Sequence, residues 1–244
     1  MRHLLALFLL TGLLTLTGCN EQRVAETTVL EPEHGTLMEI DTTENLMVYF
    51  PQFTYIDLVC AEMPRFSDGS VLMCLAAAFT GERTTIFSHD NIAGQHVSSG
   101  VFHKGYNCPA NTGAFTYHDG MWNFLPTVRS DSVTHAADAS GMAFCQVMLV
   151  YAHRSCAPHI RGRNLFRALC EKDGKLCIAE SRRQQDIGFF VQSLLHYGVK
   201  HAIYLQPGKG WNYSWYRDNA GVAHIMHPKT HDYSTNWLTF YQLQ

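Results

Sequence analysis

The segment from Leu176 to Leu205 constrains this chain most, because it reads as strand, helix, strand with little room for another arrangement. Leu176, Cys177, Ile178 and Ala179 form an apolar run of buried-strand length. Ile187, Phe190, Val191, Leu194 and Leu195 then recur at helical spacing, with Asp186 placed to cap the helix and Gly198 to end it. A second apolar run, Ala202 to Leu205, follows. A helix crossing between two strands of one sheet makes them parallel, so both end on the same edge. Ser181 and Gln206 would share that edge. Ligands of open α/β sheets sit outside the carboxyl ends of the strands, which points to the loop Gln206, Pro207, Gly208, Lys209, Gly210 and Trp211. Taken alone, that loop is better read as a plain turn, and its place after the crossover is what favours a site.

With 244 residues, 46% hydrophobic and 16% charged, the chain can build one well-cored domain. Residues 1–19 read as a bacterial lipoprotein signal peptide. Arg2 and His3 precede the apolar run Leu4 to Leu14, which is too short to span a bilayer, and Leu16, Thr17 and Gly18 lead to Cys19. The small-residue pair before the cysteine resembles a lipobox, which implies a lipid on Cys19 and a place in the cell envelope, anchored to the membrane outside the cytoplasm. Residues 20–45 read as an acidic flexible tether, with seven Asp/Glu against Arg23. Residues 46–244 are the expected domain. It is nearly neutral, with sixteen Lys/Arg against fourteen Asp/Glu, which excludes the strongly basic face of a nucleic-acid partner.

Seven cysteines follow Cys19. Cys60 and Cys74 lie in apolar runs and read as buried thiols, whereas Cys170 and Cys177 would face each other across an Asp173-Gly174 hairpin, within disulfide reach. No zinc-like cysteine spacing occurs, and the fourteen histidines show no convincing ligand pattern, so neither metal nor cofactor is expected. His224, His227 and His231 read as loop histidines interrupted by Pro228. His96, His103 and Lys104 fall close together in a glycine-broken polar stretch.

Leu46 to Phe50, Tyr55 to Cys60 and Gly141 to Tyr151 read as strands, the last carrying Gln146. Val71 to Phe79 fits either helix or buried strand and ends in a turn that presents Glu82. Thr112 to Leu125 is a hairpin about Asp119-Gly120. Six cationic or imidazole side chains crowd His153 to Arg167. A solvated loop is the usual reading of such a run, but Arg167 leads straight into a strand, and its planar fork suits phosphate. Trp211, Tyr213, Trp215 and Tyr216 could stack on sugar faces or cover a core edge.

The order of these motifs resembles the phosphodiester glycosidase family, over about Val71 to Leu205. Asn111-Thr112-Gly113-Ala114-Phe115 with Asp119-Gly120 is similar to the family's Asn-Gly-Val-Phe strand and turn. Gln146-Val147-Met148-Leu149-Val150 is similar to its Gln-x-x-Pro-x-Leu-Val strand. Arg167 falls at its Arg before a strand, and Gln206-Pro207-Gly208 at its Asp-Gly-Gly. Ala76-Ala77-Ala78-Phe79-Thr80 stands where the family has Asn-Gly-Gly-Phe-Phe, so one amide is absent, and Gln206 cannot serve as a carboxylate base.

The resemblance implies a mixed α/β (α+β) fold: a twisted mixed β-sheet with hairpins, one β-α-β crossover and a few flanking helices. It also implies hydrolysis of a sugar-1-phosphate diester in a phosphorylated glycan, without a cofactor. Arg167 would hold phosphate, assisted by His96 or Lys104. Asn111, Gln146 and Gln206 would hold sugar hydroxyls, with Gly208 and Trp211 in the same loop. Glu82 is the first carboxylate candidate and Asp218 the second. A relative that binds glycan phosphate without cutting it is the alternative.

Overall fold

In the computed structural model, residues 36–81, 87–108, 112–206, 214–227 and 235–243 are described. The strands in chain order are β1 (Met38–Thr42), β2 (Leu46–Pro51), β3 (Tyr55–Cys60), β4 (Val71–Ala76), β5 (His96–Ser98), β6 (Val101–His103), β7 (Thr112–His118) and β8 (Met121–Leu125). Then come β9 (Met142–Tyr151), β10 (Arg154–Ser155), β11 (Arg167–Lys172), β12 (Lys175–Ser181), β13 (His201–Leu205), β14 (Ser214–Arg217), β15 (Ala223–His227) and β16 (Asn236–Tyr241). Two helices, α1 (Ser130–Asp138) and α2 (Ile187–His196), complete an α+β fold.

The strands make two open sheets. The larger runs β1-β2-β12-β11-β13-β9-β5-β6, with the β7-β8 hairpin and β10 joined to β9; the smaller runs β15-β14-β4-β16-β3. The neighbouring strands pair antiparallel. The expected crossover is present nonetheless, because β12 and β13 are both antiparallel to β11 and therefore parallel to each other across it. Arg167 lies between Glu180 and Leu205 in register, so Ser181 and Gln206 do end on one edge, with the start of β11 between them.

Side chains alternate across this sheet as the two-residue strand period requires. Phe144, Met148, Leu169, Ile178, Ile203 and Leu205 face the smaller sheet and pack on its Ile56, Leu58, Leu72, Leu75, Leu238 and Phe240. Ala168, Cys170, Cys177, Ala179, Ala202 and Tyr204 face the other way, under Phe190, Val191 and Leu194 of α2. The helix follows the sequence expectation, although Asp186 makes no side-chain cap bond; it stops at Gly198, whose φ of +92° suits glycine.

Three elements depart from expectation, and the Val71 to Phe79 run, which fitted either helix or buried strand, is decided. Residues 38–42, placed in the tether, are strand β1, paired along β2, so the folded unit begins before Leu46. Val71–Ala76 is a strand, buried at every position. Trp215 is no loop aromatic: it lies in β14 with no exposed surface and packs on Trp237, Val71 and Cys74. His224 and His227 belong to strand β15. Cys170 and Cys177 do oppose each other across the Asp173-Gly174 hairpin, as free thiols.

Candidate active site

The facing sides of the two sheets carry apolar residues until the edge where β11 begins, and there the period delivers polar ones. Arg167 has the parity of Leu169, and Glu180 that of Ile178, so both point between the sheets. Ser214 opens β14, His227 closes β15, and these two are opposite each other in register. Four side chains from four strands thus meet at one end of the core.

Their geometry is tight. Arg167 Nε donates to Glu180 Oε1 at 2.5 Å and Arg167 Nη2 donates to Ser214 Oγ at 2.7 Å. His227 Nε2 lies 3.2 Å from the same Oε1. A carboxylate oxygen only accepts, so Nε2 carries the hydrogen, and a neutral ring would hold its lone pair on Nδ1. Arg167 is wholly buried, and its Nη1 has no acceptor among the described residues. Burial would raise the Glu180 carboxyl; the Arg167 charge and the His227 hydrogen bond outweigh it and hold Glu180 below the ordinary carboxylate value. Burial pushes Tyr49 and Tyr204 upward, so both remain neutral beside this ion pair.

Two further expected residues, Gln206 and Gln146, share one backbone acceptor. Gln206 N donates to Ala77 O at 3.2 Å, and Gln146 Nε2 reaches the same oxygen at 3.5 Å. Both glutamine side chains are almost fully buried. Ala76, Ala77 and Ala78 therefore line the position where an amide was looked for, with Asn236 Oδ1 accepting from Ala78 N at 2.7 Å. Residue 206 is followed by 207–213 and residue 227 by 228–234, outside the described residues, as are Cys19, Glu82, Asn111, Gly208, Trp211 and His231.

Asp218 stands apart. Arg217 and Asp218 lie at the far end of β14 from Ser214, and Asp218 accepts from Ala220 N, Val222 N and His224 Nε2. It shapes a turn, which removes it from the candidate carboxylates. His96 and Lys104 also miss the cluster. His96 lies on β5, separated from β11 by β13 and β9, and Lys104 follows β6 in an exposed position. His96 instead meets His89 and His103, the three offering ring nitrogens within 4.8 Å of one another. The sequence reading singled out neither Glu180 nor Ser214 and took His227 for a loop histidine; the alternation of Glu180 with Ile178 was the available signal for the first.

The fold is similar to that of the catalytic domain of zebrafish N-acetylglucosamine-1-phosphodiester alpha-N-acetylglucosaminidase, a domain auto-inhibited by its pro-peptide. The TM-score is 0.55 at 10% identity, over 86% of this chain and 83% of that one. A hypothetical protein from Synechocystis aligns with a TM-score of 0.48 and 10% identity, over 84% of this chain and 61% of its own. No family model and no curated protein matches the sequence. The likeness to the zebrafish domain is one of fold.

Proposed function

We propose that this protein hydrolyses a sugar-1-phosphate diester in a phosphorylated glycan, with Arg167 receiving the phosphate and the His227–Glu180 pair activating water. The observation that carries the reading is Arg167: a guanidinium buried at the sheet edge, oriented by Glu180 and Ser214, with Nη1 lacking an acceptor among the described residues. The fold likeness to a phosphodiester glycosidase domain supports the same substrate class.

The chemistry follows from the arrangement. Phosphate is a good leaving group, so the protein needs a cation where charge gathers and a base for water at the anomeric carbon. His227 Nδ1 takes the proton of water as its oxygen bonds to that carbon. The carbon–oxygen bond to phosphate breaks, the electron pair leaves with phosphate, and Arg167 meets the new charge. Glu180 fixes the imidazole tautomer and stabilises the imidazolium as it forms. Gln146 and Gln206 supply amides for sugar hydroxyls.

A second reading has its own support: the alanine lining and Gln206 offer no carboxylate at that part of the site, which suits a protein that holds glycan phosphate without cleaving it. One experiment separates the two. Sugar release is measured from a panel of sugar-1-phosphate diesters, using protein lacking residues 1–19 and its His227→Gln and Gln206→Asp variants. Turnover is expected, reduced about 10²–10⁴-fold in His227→Gln with the fold intact. Full activity in His227→Gln would remove the proposed base. A silent parent with an active Gln206→Asp variant would establish the binding reading.

We further propose that the protein is exported and held at the bacterial cell envelope by a lipid on Cys19. The signal-like run and the lipobox-like residues before Cys19 support this.

A further inference from the structure

The histidines at 89, 96 and 103 recur every seven residues and belong to no part of the Arg167 cluster. The fold gathers them by two simple devices. His96 and His103 oppose each other directly across the β5–β6 hairpin, so their side chains share a face. His89 opens a single 3₁₀ turn, His89–Asn91, which is pinned by Ser88 Oγ accepting from Asp90 N at 3.2 Å and by Gly81 N donating to Asn91 O at 2.8 Å.

We propose that His89, His96 and His103 bind one divalent transition-metal ion of the zinc class, with the remaining coordination position open to water. His89 Nδ1 lies 3.0 Å from His96 Nε2, and the ligand atoms of all three residues fall within 4.8 Å of one another. Tetrahedral coordination at about 2.0–2.1 Å asks for nitrogens roughly 3.3 Å apart, so the His89–His96 pair opens slightly and the other pairs close by at most about 1.5 Å. The rings of His89 and His103 stack at 3.4 Å with planes 4° apart, and His96 stacks on both at wider spacing. Coordination turns these rings about χ2, a broad torsion that resists such rotation weakly.

The outer contacts are those a metal-binding histidine requires. His96 Nδ1 lies 3.0 Å from Gly94 O, and a carbonyl oxygen only accepts, so Nδ1 carries the hydrogen and Nε2 presents its lone pair to the other two rings. Among the described residues no carboxylate is hydrogen-bonded to any of the three imidazoles, while the charge of Asp90 acts on both His89 and His103 and favours a cation there. Three imidazoles suit zinc, cobalt, nickel or copper, and among the described residues no oxygen set suited to magnesium or calcium accompanies them.

The test uses untagged protein stripped with chelator, titrated calorimetrically with Zn²⁺ and, in parallel, with Co²⁺ for its visible absorption. One equivalent per chain is expected, with a cobalt spectrum of low-coordinate type. His103→Gln and His89→Gln, both at half-exposed positions where the fold tolerates change, should each weaken binding about tenfold or more. A His224→Gln/His227→Gln double variant should bind as the parent does. Absence of stoichiometric binding, or binding lost in the His224/His227 variant and kept in the His89 and His103 variants, would overturn the assignment.

Discussion

A guanidinium with no exposed surface has to find its acceptors inside the protein, and Arg167 takes two of them from Glu180 and Ser214. Its burial was legible in the sequence, since Arg167 shares its parity with Leu169 in a strand whose other neighbours are apolar; its partners came from segments 13 and 47 residues away, which local pattern cannot join. His96 shows the opposite case. Its glycine-broken polar stretch carries no sign of burial, yet the β5–β6 register and Gly94 enclose it. That enclosure has a pH consequence. Burial pushes His96 from an ordinary 6.5 down to about 4, with His103 and His89 adding in the same direction and the Gly94 hydrogen bond opposing. The unfolded chain therefore takes up a proton below pH 6.5 that the folded chain refuses until about pH 4. Stability should be full above that window and decline across it by roughly 1.4 kcal/mol per pKa unit. Glu180 acts lower on the scale: its depressed value stabilises the fold above the ordinary carboxylate pKa and is lost as pH falls through the folded one. Urea midpoints of chelator-treated protein should thus fall between pH 7 and 4.5, and less steeply for His96→Gln. Parallel curves for the two proteins would contradict this account.

Elements were legible where their hydrophobic period was strong and obscure where one side faced water. β12 and β13 announce themselves because their apolar residues are buried, and α2 because Ile187, Phe190, Val191 and Leu194 are buried at helical spacing. α1 passed unnoticed because Val133 and Ala136 alone mark its buried face. β1 was masked by its composition: as the edge strand it buries Met38 and exposes Glu39, Ile40, Asp41 and Thr42, so its acidity resembled that of the tether before it. It is nevertheless tied in. Asn219 Oδ1 accepts from Leu37 N and Met38 N, both at 2.8 Å, and Tyr197 Oη donates to Asp41 Oδ2 at 2.7 Å. Cutting the chain before residue 36 should leave its melting temperature unchanged. Cutting before Leu46 would strip β2 of its partner and expose Met38's site, at a cost of about 2 kcal/mol or more. Equal thermal melts for the two truncations would return residues 36–45 to the tether.

At the scale of the molecule, register also fixes which way the site faces relative to the attachment proposed at Cys19. Glu180 is opposite Met47, and Met47 is opposite Thr42, so the Arg167 cluster lies level with the end of β1. The chain enters β1 at Met38, opposite Pro51, four residues and about 13 Å toward the other end of the sheet. Asn219, which meets Met38, belongs to the β14–β15 turn, again at the end remote from Ser214 and His227. An anchor joined through residues 20–35 therefore approaches from the side away from the cluster, with a reach of at most about 55 Å at full extension. Produced in a bacterial host, the full chain should fractionate with membranes and carry lipid at Cys19, and Cys19→Ser should move it to the soluble fraction without altering the activity of the domain. Membrane association that survives Cys19→Ser would mean that something other than this lipid holds the protein there, and the inferred orientation of the site would lose its premise.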